Sequence, residues 1–302
     1  MSYHDPVLLK ESIEALAVQR DGVYIDATFG GGGHSRLILE RLGPEGHLLA
    51  FDQDEDALAN LPDDDRFIFN HHNFRFLKRF LRLHGFLQVD GILADLGVSS
   101  HQLDTAERGF SYRFDAELDM RMNRQLERTA ADVVNSYSAV GLQEVFSRYG
   151  ELRNARTLAQ QLVDARSARP LRTVGDLVGV AEKLIRGPRH RYLAQLFQAL
   201  RMEVNDELGA LRELLEASLE MLKPGGRLVV IAYHSIEDRL VKQFLKTGNV
   251  DGEVQRDDYG NIFRPFRILT KKALTPPVAE IDRNPRARSA RLRVGERIQS
   301  DG

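Results

Sequence analysis

The decisive stretch is Tyr24-Ile25-Asp26-Ala27-Thr28-Phe29-Gly30-Gly31-Gly32-Gly33-His34-Ser35. A short apolar run ends in an acid, and four consecutive glycines follow. Ser35 to Leu42 then places apolar residues at 37, 38, 39 and 42, a helical spacing. Strand, glycine turn and helix in that order open the ligand crevice of a doubly wound α/β domain. The glycines suit a turn with unusual dihedrals and a backbone that must touch its ligand. Taken alone, such a run leaves a flexible or merely tight turn as the lesser alternative.

The spacing also bears on the ligand. The dinucleotide pattern G-x-G-x-x-G is incomplete, because Ser35 stands at its third glycine. No G-x-x-x-x-G-K-[ST] is present, which argues against a phosphate-cradling loop. Asp26-x-Thr28-x-Gly30-x-Gly32 instead resembles the first motif of S-adenosylmethionine-dependent methyltransferases, with Thr28 where their first glycine is usual. Gly46 to Asp52 reads as a second buried strand, and Asp52 stands nineteen residues beyond Gly33. An acid at about that distance holds a ribose hydroxyl pair. The alternative is a strand-end turn acid, with Asp54, Glu55 and Asp56 close behind as competing acids, but the spacing favours Asp52.

Further strands are expected over Arg66–Asn70, Val89–Asp95 and Gly226–Ala232, with a closing pair over Phe266–Thr270 and Ala290–Val294. Amphipathic helices are expected over Val7–Leu16, Phe76–Leu87, Leu208–Leu222 and Leu240–Lys246. The alternation of strand and helix breaks after Asp95, and 130 residues lie between it and the strand that begins at Gly226. A crossover helix needs only about a dozen. The surplus reads as a helical insert, with Ser138 and Thr173 as N-caps. The boundaries implied are 1–105 and 206–302 for the α/β core and 106–205 for the insert. Within the insert, Arg148 to Arg201 carries ten arginines and one lysine against four acids. That excess suits either a phosphate backbone or a solvated face.

Composition narrows the classes. The net charge is −2, so any nucleic-acid contact must be local. Zero cysteines exclude disulfides, thiolate zinc sites and cysteine nucleophiles. The first residues show no signal-peptide pattern, and no run of about 18 apolar residues predicts a membrane span. A cytoplasmic protein is expected. His71 and His72 are adjacent without an acid at ligand spacing, so they read as polar loop residues, and no metal site is expected. His234-Ser235 lacks the glycines of a nucleophile elbow.

Taken together the motifs resemble one family, the bacterial small-subunit (16S) ribosomal RNA cytosine-N4 methyltransferases of the methyltransferase H type. The matching stretches run through the chain in order. They include His4-x-Pro6-Val7-Leu8-Leu9, Thr28 to Ser35, Asp90 to Ser100, and Gln102-Leu103-Asp104 with Arg108-Gly109-Phe110-Ser111. Leu118 to Met122, Phe197 to Arg201, Glu203-Val204-Asn205, Pro224 to Arg227, His234 to Arg239 and Asn284 to Ser289 complete them. Ahead of Phe197 the family's His-Pro-Ala-like run is replaced by Tyr192-Leu193-Ala194-Gln195-Leu196.

The resemblance implies a methyltransferase core interrupted by a helical substrate-recognition domain, with S-adenosylmethionine as methyl donor. Its target would be the N4 amine of a decoding-region cytidine in small-subunit ribosomal RNA, in an assembled or late-assembling subunit. By position it gives Gly32, Gly33 and His34 to the methionine end, Asp52 to the ribose and Phe74 to the adenine. Asp95 and Gln102 would complete the pocket. For the reaction, Asp95 is the first candidate acceptor near the amine and His234 the second, as orienter or proton acceptor. The chemistry needs no metal. DNA cytosine or another acceptor, and a nicotinamide oxidoreductase in the same crevice, are the competing readings. The oligomeric state stays open, a homodimer included.

Overall fold

The computed structural model describes residues 6–256, 259–260 and 262–299. His4, in the first matching stretch, lies outside them. In chain order the elements are α1 (Leu9–Leu16), β1 (Val23–Asp26), α2 (Gly33–Arg41), β2 (His47–Phe51), β3 (Phe67–Asn70), α3 (Leu77–Leu83) and β4 (Val89–Asp95). Then come α4 (Ser100–Asp104), α5 (Ala130–Ser136), α6 (Ala139–Arg148), α7 (Ala155–Ala168), α8 (Val174–Glu182) and α9 (Arg189–Val204). The chain closes with α10 (Glu207–Met221), β5 (Leu222–Ala232), α11 (Ser235–Thr247), β6 (Phe266–Ile268), α12 (Val278–Arg283) and β7 (Arg291–Arg297).

These fall into two compact units, one of residues 1–97 and 208–302, the other of 98–207. The first unit is an α/β layer around one seven-stranded sheet of order β3-β2-β1-β4-β5-β7-β6. Strands β1 to β5 pair in parallel, while β7 runs antiparallel between β5 and β6. The parallel strands are buried on both faces, so Ile25, Leu48, Leu49, Ile92, Leu93 and Val229 form a near-continuous apolar centre. The strand order reverses between β1 and β4. The crevice beyond the carboxyl ends of these two strands is where such a sheet takes its ligand.

Local chemistry explains where the elements depart from expectation. The first helix begins at Leu9 rather than Val7 because Leu8 is left-handed at φ 51°. Its N–H is taken by Glu280 Oε1 at 2.9 Å instead of by a helix turn. The expected helix from Phe76 to Leu87 is divided. Asn73 caps a single 3₁₀ turn, Phe74–Phe76, before α3 starts. Gly85, at φ +81°, then ends α3. The Gly85 N–H reaches the Arg82 carbonyl and the Phe86 N–H the Leu81 carbonyl, a Schellman closure. Strand β5 starts earlier than Gly226, at Leu222, because Lys223 to Gly226 bulge out between the Val89–Leu222 and Gly91–Arg227 pairs.

The second unit is helical around a core of Leu142, Phe146, Leu158, Leu162, Leu193, Leu196 and Leu200. Thr129, Ser138 and Thr173 each cap a helix by accepting a backbone N–H. The loop before α5 is pinned from inside. Arg108, 2% exposed, donates to the carbonyls of Arg121 and Met122. Asn205 accepts the Met122 N–H at 2.7 Å and donates to the Met120 carbonyl at 2.8 Å.

Candidate active site

The site is built where β1, β2, β4 and β5 end. Asp26, the last residue of β1, is 1% exposed. It accepts the Ser35 hydroxyl at 2.7 Å and the Thr28 N–H at 3.1 Å, closing the glycine turn on itself. Burial pushes its carboxyl up to about 6, against the pull of Ser35 and the Thr28 backbone. Gly30 and Gly32 hold positive φ, +50° and +73°. A side chain on Gly30 would meet nothing within 4 Å, so the loop faces open space there. Gly33 is close-packed instead: a Cβ would lie 2.1 Å from Pro6 Cγ.

Helix α2 leaves this loop with Gly32 at its N-cap and no side-chain cap. Its first amides are therefore unclaimed by a capping side chain, at the positive end of the helix dipole. His34 sits in its first turn, 4% exposed, with the backbone of Val7 as a hydrogen-bond partner. Burial lowers its imidazole to about 4, so it is neutral. Its Nε2 is buried and has no hydrogen-bond partner among the described residues.

Asp52 follows β2 directly. Its Oδ2 accepts the Gly30 N–H at 2.7 Å and its Oδ1 the Asp54 N–H at 2.9 Å. It thus ties the end of β2 to the glycine loop while keeping part of its surface open. Burial pushes it up to about 6 despite these two backbone donors. Asp54 is 5% exposed and caps the next turn by accepting the Asp56 N–H, which removes it as a rival. Phe74 lies in the turn after β3, half-buried. His71 and His72 rest on Phe69 and Phe80.

Asp95 ends β4. Its N–H donates to Thr28 Oγ1 at 2.7 Å, which joins it to the glycine turn. The Tyr233 hydroxyl, just past β5, donates to its Oδ1 at 2.8 Å. Burial pushes the Asp95 carboxyl up to about 7; Tyr233 pulls it down, while Asp26, Glu237 and Glu280 push it further up. Burial, then the Asp95 charge, raises the Tyr233 hydroxyl well above its ordinary range, so it stays a donor. Glu237 Oε2 accepts the Tyr233 N–H at 3.0 Å and holds the turn.

His234 is turned onto its own helix. It is the N-cap of α11, and its Nδ1 accepts the Glu237 N–H at 3.4 Å. Its Nε2 lies 3.1 Å from Glu237 Oε1 without a hydrogen-bonding angle, so that nitrogen has no aligned partner. Gln102 belongs to the other unit, where it completes a capping box with Ser99 at the start of α4. The structure therefore brings Gly32, Gly33, His34, Asp52 and Asp95 to the strand ends of one unit, with His234 at the end of β5. Tyr233, Thr28 and Glu237 were not among the residues expected from sequence. Tyr233 and Thr28 touch Asp95 only through the β4–β5 and β1–β4 pairings, and no local pattern announces that.

The arrangement can hold a ligand with a carboxylate end, a diol and an aromatic base, and can accept a proton at Asp95. A family model described as the MraW methylase family matches residues 1–298. A ribosomal RNA small subunit methyltransferase H from Flavobacterium johnsoniae is 56% identical over 299 residues, 99% of each chain. Another of the same name, from Parabacteroides distasonis, is 55% identical over 98% of each chain. A solved putative rRNA-methylase from Clostridium thermocellum overlays loosely, with 12% identity, TM-score 0.44, and coverage of 99% of this chain and 100% of its own.

Proposed function

Because this chain belongs to the MraW methylase family along nearly its whole length, we propose that it methylates the N4 amine of a cytidine in small-subunit ribosomal RNA. S-adenosylmethionine is the methyl donor, and its sulfonium supplies an electrophilic methyl when bound. The single observation that carries the chemistry is Asp95, held at the crevice by Thr28 and Tyr233 with Oδ1 already occupied.

The residues present fit that donor. The uncapped start of α2, with Gly32, Gly33 and the unpartnered His34 Nε2, suits its methionine end. Asp52, with lone pairs to spare beyond two backbone donors, suits the ribose hydroxyls. Phe74, half-buried in the turn after β3, suits the adenine.

Cytosine's exocyclic nitrogen is a weak nucleophile, its lone pair drawn into the ring. Much of the rate must come from holding amine and methyl in near-attack geometry. Asp95 Oδ2, free of the Tyr233 bond, accepts an amine N–H and takes the proton that leaves as the N–C bond forms. His234, with both ring nitrogens turned to Glu237, is a positioning residue that holds the turn after β5 beside Asp95. The target base must leave its stack to reach this crevice. The substrate is proposed to be an assembled or nearly assembled subunit, in the cytoplasm. No helix among the described residues is long and apolar enough to cross a membrane.

The test uses small subunits from cells lacking this protein and donor carrying a labelled methyl. Label in the RNA supports the reading. Label only in DNA or protein, or none with donor binding intact, contradicts it. Stabilisation by NAD but not by S-adenosylhomocysteine would point to the oxidoreductase alternative.

A further inference from the structure

The second unit is almost neutral, with sixteen basic residues against fifteen acidic ones over 98–207. Its charges are nonetheless segregated. Most arginines outside one end are spent inside the unit: Arg108 on carbonyls, Arg121 on Asp119, Arg166 on the Val134 carbonyl, Arg169 on Asp176 and Arg201 on Glu207.

The exception lies where three segments meet. Asn154, at the start of α7, donates to the Leu184 carbonyl just past α8 at 3.1 Å. It also accepts the hydroxyl of Tyr192, in the first turn of α9, at 3.2 Å. The α6–α7 turn is packed there too, since a Cβ on Gly150 would lie 2.9 Å from the Gln195 carbonyl. These contacts bring Arg153 just before α7, Arg156 in its first turn, Lys183 and Arg186 of the α8–α9 turn, and Arg191 of α9 to one end of the unit. All five are exposed. Of the acids nearby, Glu182 is paired with Arg189 at 2.9 Å, and Glu151 lies in the α6–α7 turn beside Arg153. Both helices that start here, α7 with 14 residues and α9 with 16, begin without a side-chain cap. Their dipoles add to the positive field.

Resting on the function proposed above, we infer that Arg153, Arg156, Arg186 and Arg191, with Lys183, form a phosphate-backbone docking surface for the ribosomal RNA. Five basic side chains gathered at one end repel one another, and an RNA backbone relieves this by releasing counterions. The surface grips backbone and reads no base, so it sets affinity and not the choice of nucleotide.

The test compares the wild type with a variant carrying Arg153→Gln, Arg156→Gln, Arg186→Gln and Arg191→Gln together. A second variant carries lysine at the same four positions. Binding to unmethylated small subunits is measured against salt concentration, alongside kcat, KM for the subunit and S-adenosylhomocysteine binding. Each phosphate contact contributes about 0.7–0.9 to the slope of log affinity against log salt. The glutamine variant should lose about 3 from that slope. Its KM should rise at least tenfold, with kcat and S-adenosylhomocysteine binding unchanged. The lysine variant should recover most of the slope, which a merely folded-state role for the arginines would not produce. A wild-type enzyme that methylates RNA, beside a glutamine variant with the same slope and KM, overturns the docking surface alone. A wild-type enzyme that puts no methyl into RNA overturns the functional reading and the surface with it.

Discussion

The Tyr233 hydroxyl donates to Asp95 Oδ1 across 2.8 Å, joining the residue after β5 to the last residue of β4. This bond leaves Oδ2 for the amine in the reaction proposed above. It also offsets part of the upward push that burial and Asp26, Glu237 and Glu280 exert on Asp95. Asp95→Asn keeps an oxygen for Tyr233 but loses the proton acceptor. We expect kcat to fall about 10²–10⁴-fold, with donor binding changed little, as read by single-turnover methylation and titration with S-adenosylhomocysteine. An Asn variant of near wild-type kcat would remove Asp95 from the proton's path.

The pH profile follows from the same group. Asp95 must be ionised to accept the proton, and its carboxyl lies at about 7. Activity under kcat/KM conditions should rise with pH through that region. A bound sulfonium cation favours the carboxylate, so the inflection in kcat should sit lower. Tyr233→Phe removes a bond that lowers this value, so its profile should shift to higher pH and recover activity there. A Phe variant that is slower by one factor at every pH would assign Tyr233 to packing alone.

Stability carries the opposite sign. The folded values of Asp95, at about 7, and of Asp26 and Asp52, at about 6, lie above the ordinary carboxylate range. Such groups favour the fold while protonated, so their contribution is lost as pH rises from about 4 to about 7. Asp95→Asn should match the wild-type melting temperature near pH 4 and exceed it at pH 8. Melting curves across this range test it; an Asn variant less stable at pH 8 than at pH 4, relative to wild type, would contradict the assignment of cause.

Asp238 behaves as an ordinary ion-paired acid. It is 6% exposed and takes Arg293 through two bonds of 2.6 and 3.0 Å, pinning α11 to β7. Burial alone would raise its carboxyl, but Arg293 and Arg291 hold it below the usual range. Its contribution is present at neutral pH and lost as pH falls through that lowered value. Asp238→Ala should destabilise by about 3 kcal/mol, because it strands a buried guanidinium. Denaturant unfolding reads this directly, and a loss below about 1 kcal/mol would mean that water reaches Arg293.

The donor site can be weakened from two directions. Asp52→Ala removes the acceptor proposed for the ribose and the tie to the Gly30 N–H. A charged hydrogen bond contributes about 1.5–3 kcal/mol, so S-adenosylhomocysteine should bind roughly 10–100-fold more weakly. Gly33→Ala forces Pro6 away, since its Cβ would lie 2.1 Å from Pro6 Cγ. It should weaken donor binding while leaving the melting temperature of the helical unit intact. Unchanged affinity in both variants would move the donor elsewhere.

The parallel strands were legible because burial on both faces writes apolar runs such as Ile92-Leu93-Ala94 ending in an acid. The glycine turn, Asp52 and Asp95 were legible because each stands at a strand end. The insert's helices were legible through their caps, Thr173 among them. Helix ends were less so: a left-handed Leu8 and the Gly85 closure override apolar spacing. Residues 278–289, forming α12 and a 3₁₀ turn, were not foreseen as helical, being short and half-exposed. Tyr233 could not be paired with Asp95 from sequence, since 138 residues separate them. Several matched family stretches also turn out to hold the fold together. Asn205 clamps Met120 and Met122, and Arg108 fills the same loop.

The chemistry at the acceptor atom separates this account from other RNA methylations. A ring-carbon methylation of cytosine through a cysteine adduct is closed to a chain with no cysteine. An acid that accepts an amine proton, as proposed for Asp95, fits an exocyclic nitrogen. The most direct measurement is mass analysis of nucleosides from small subunits incubated with the enzyme and isotopically labelled S-adenosylmethionine. The label should sit on N4 of cytidine and should be lost with Asp95→Asn. Label on a ribose oxygen, on a ring carbon, or on another base would contradict the account.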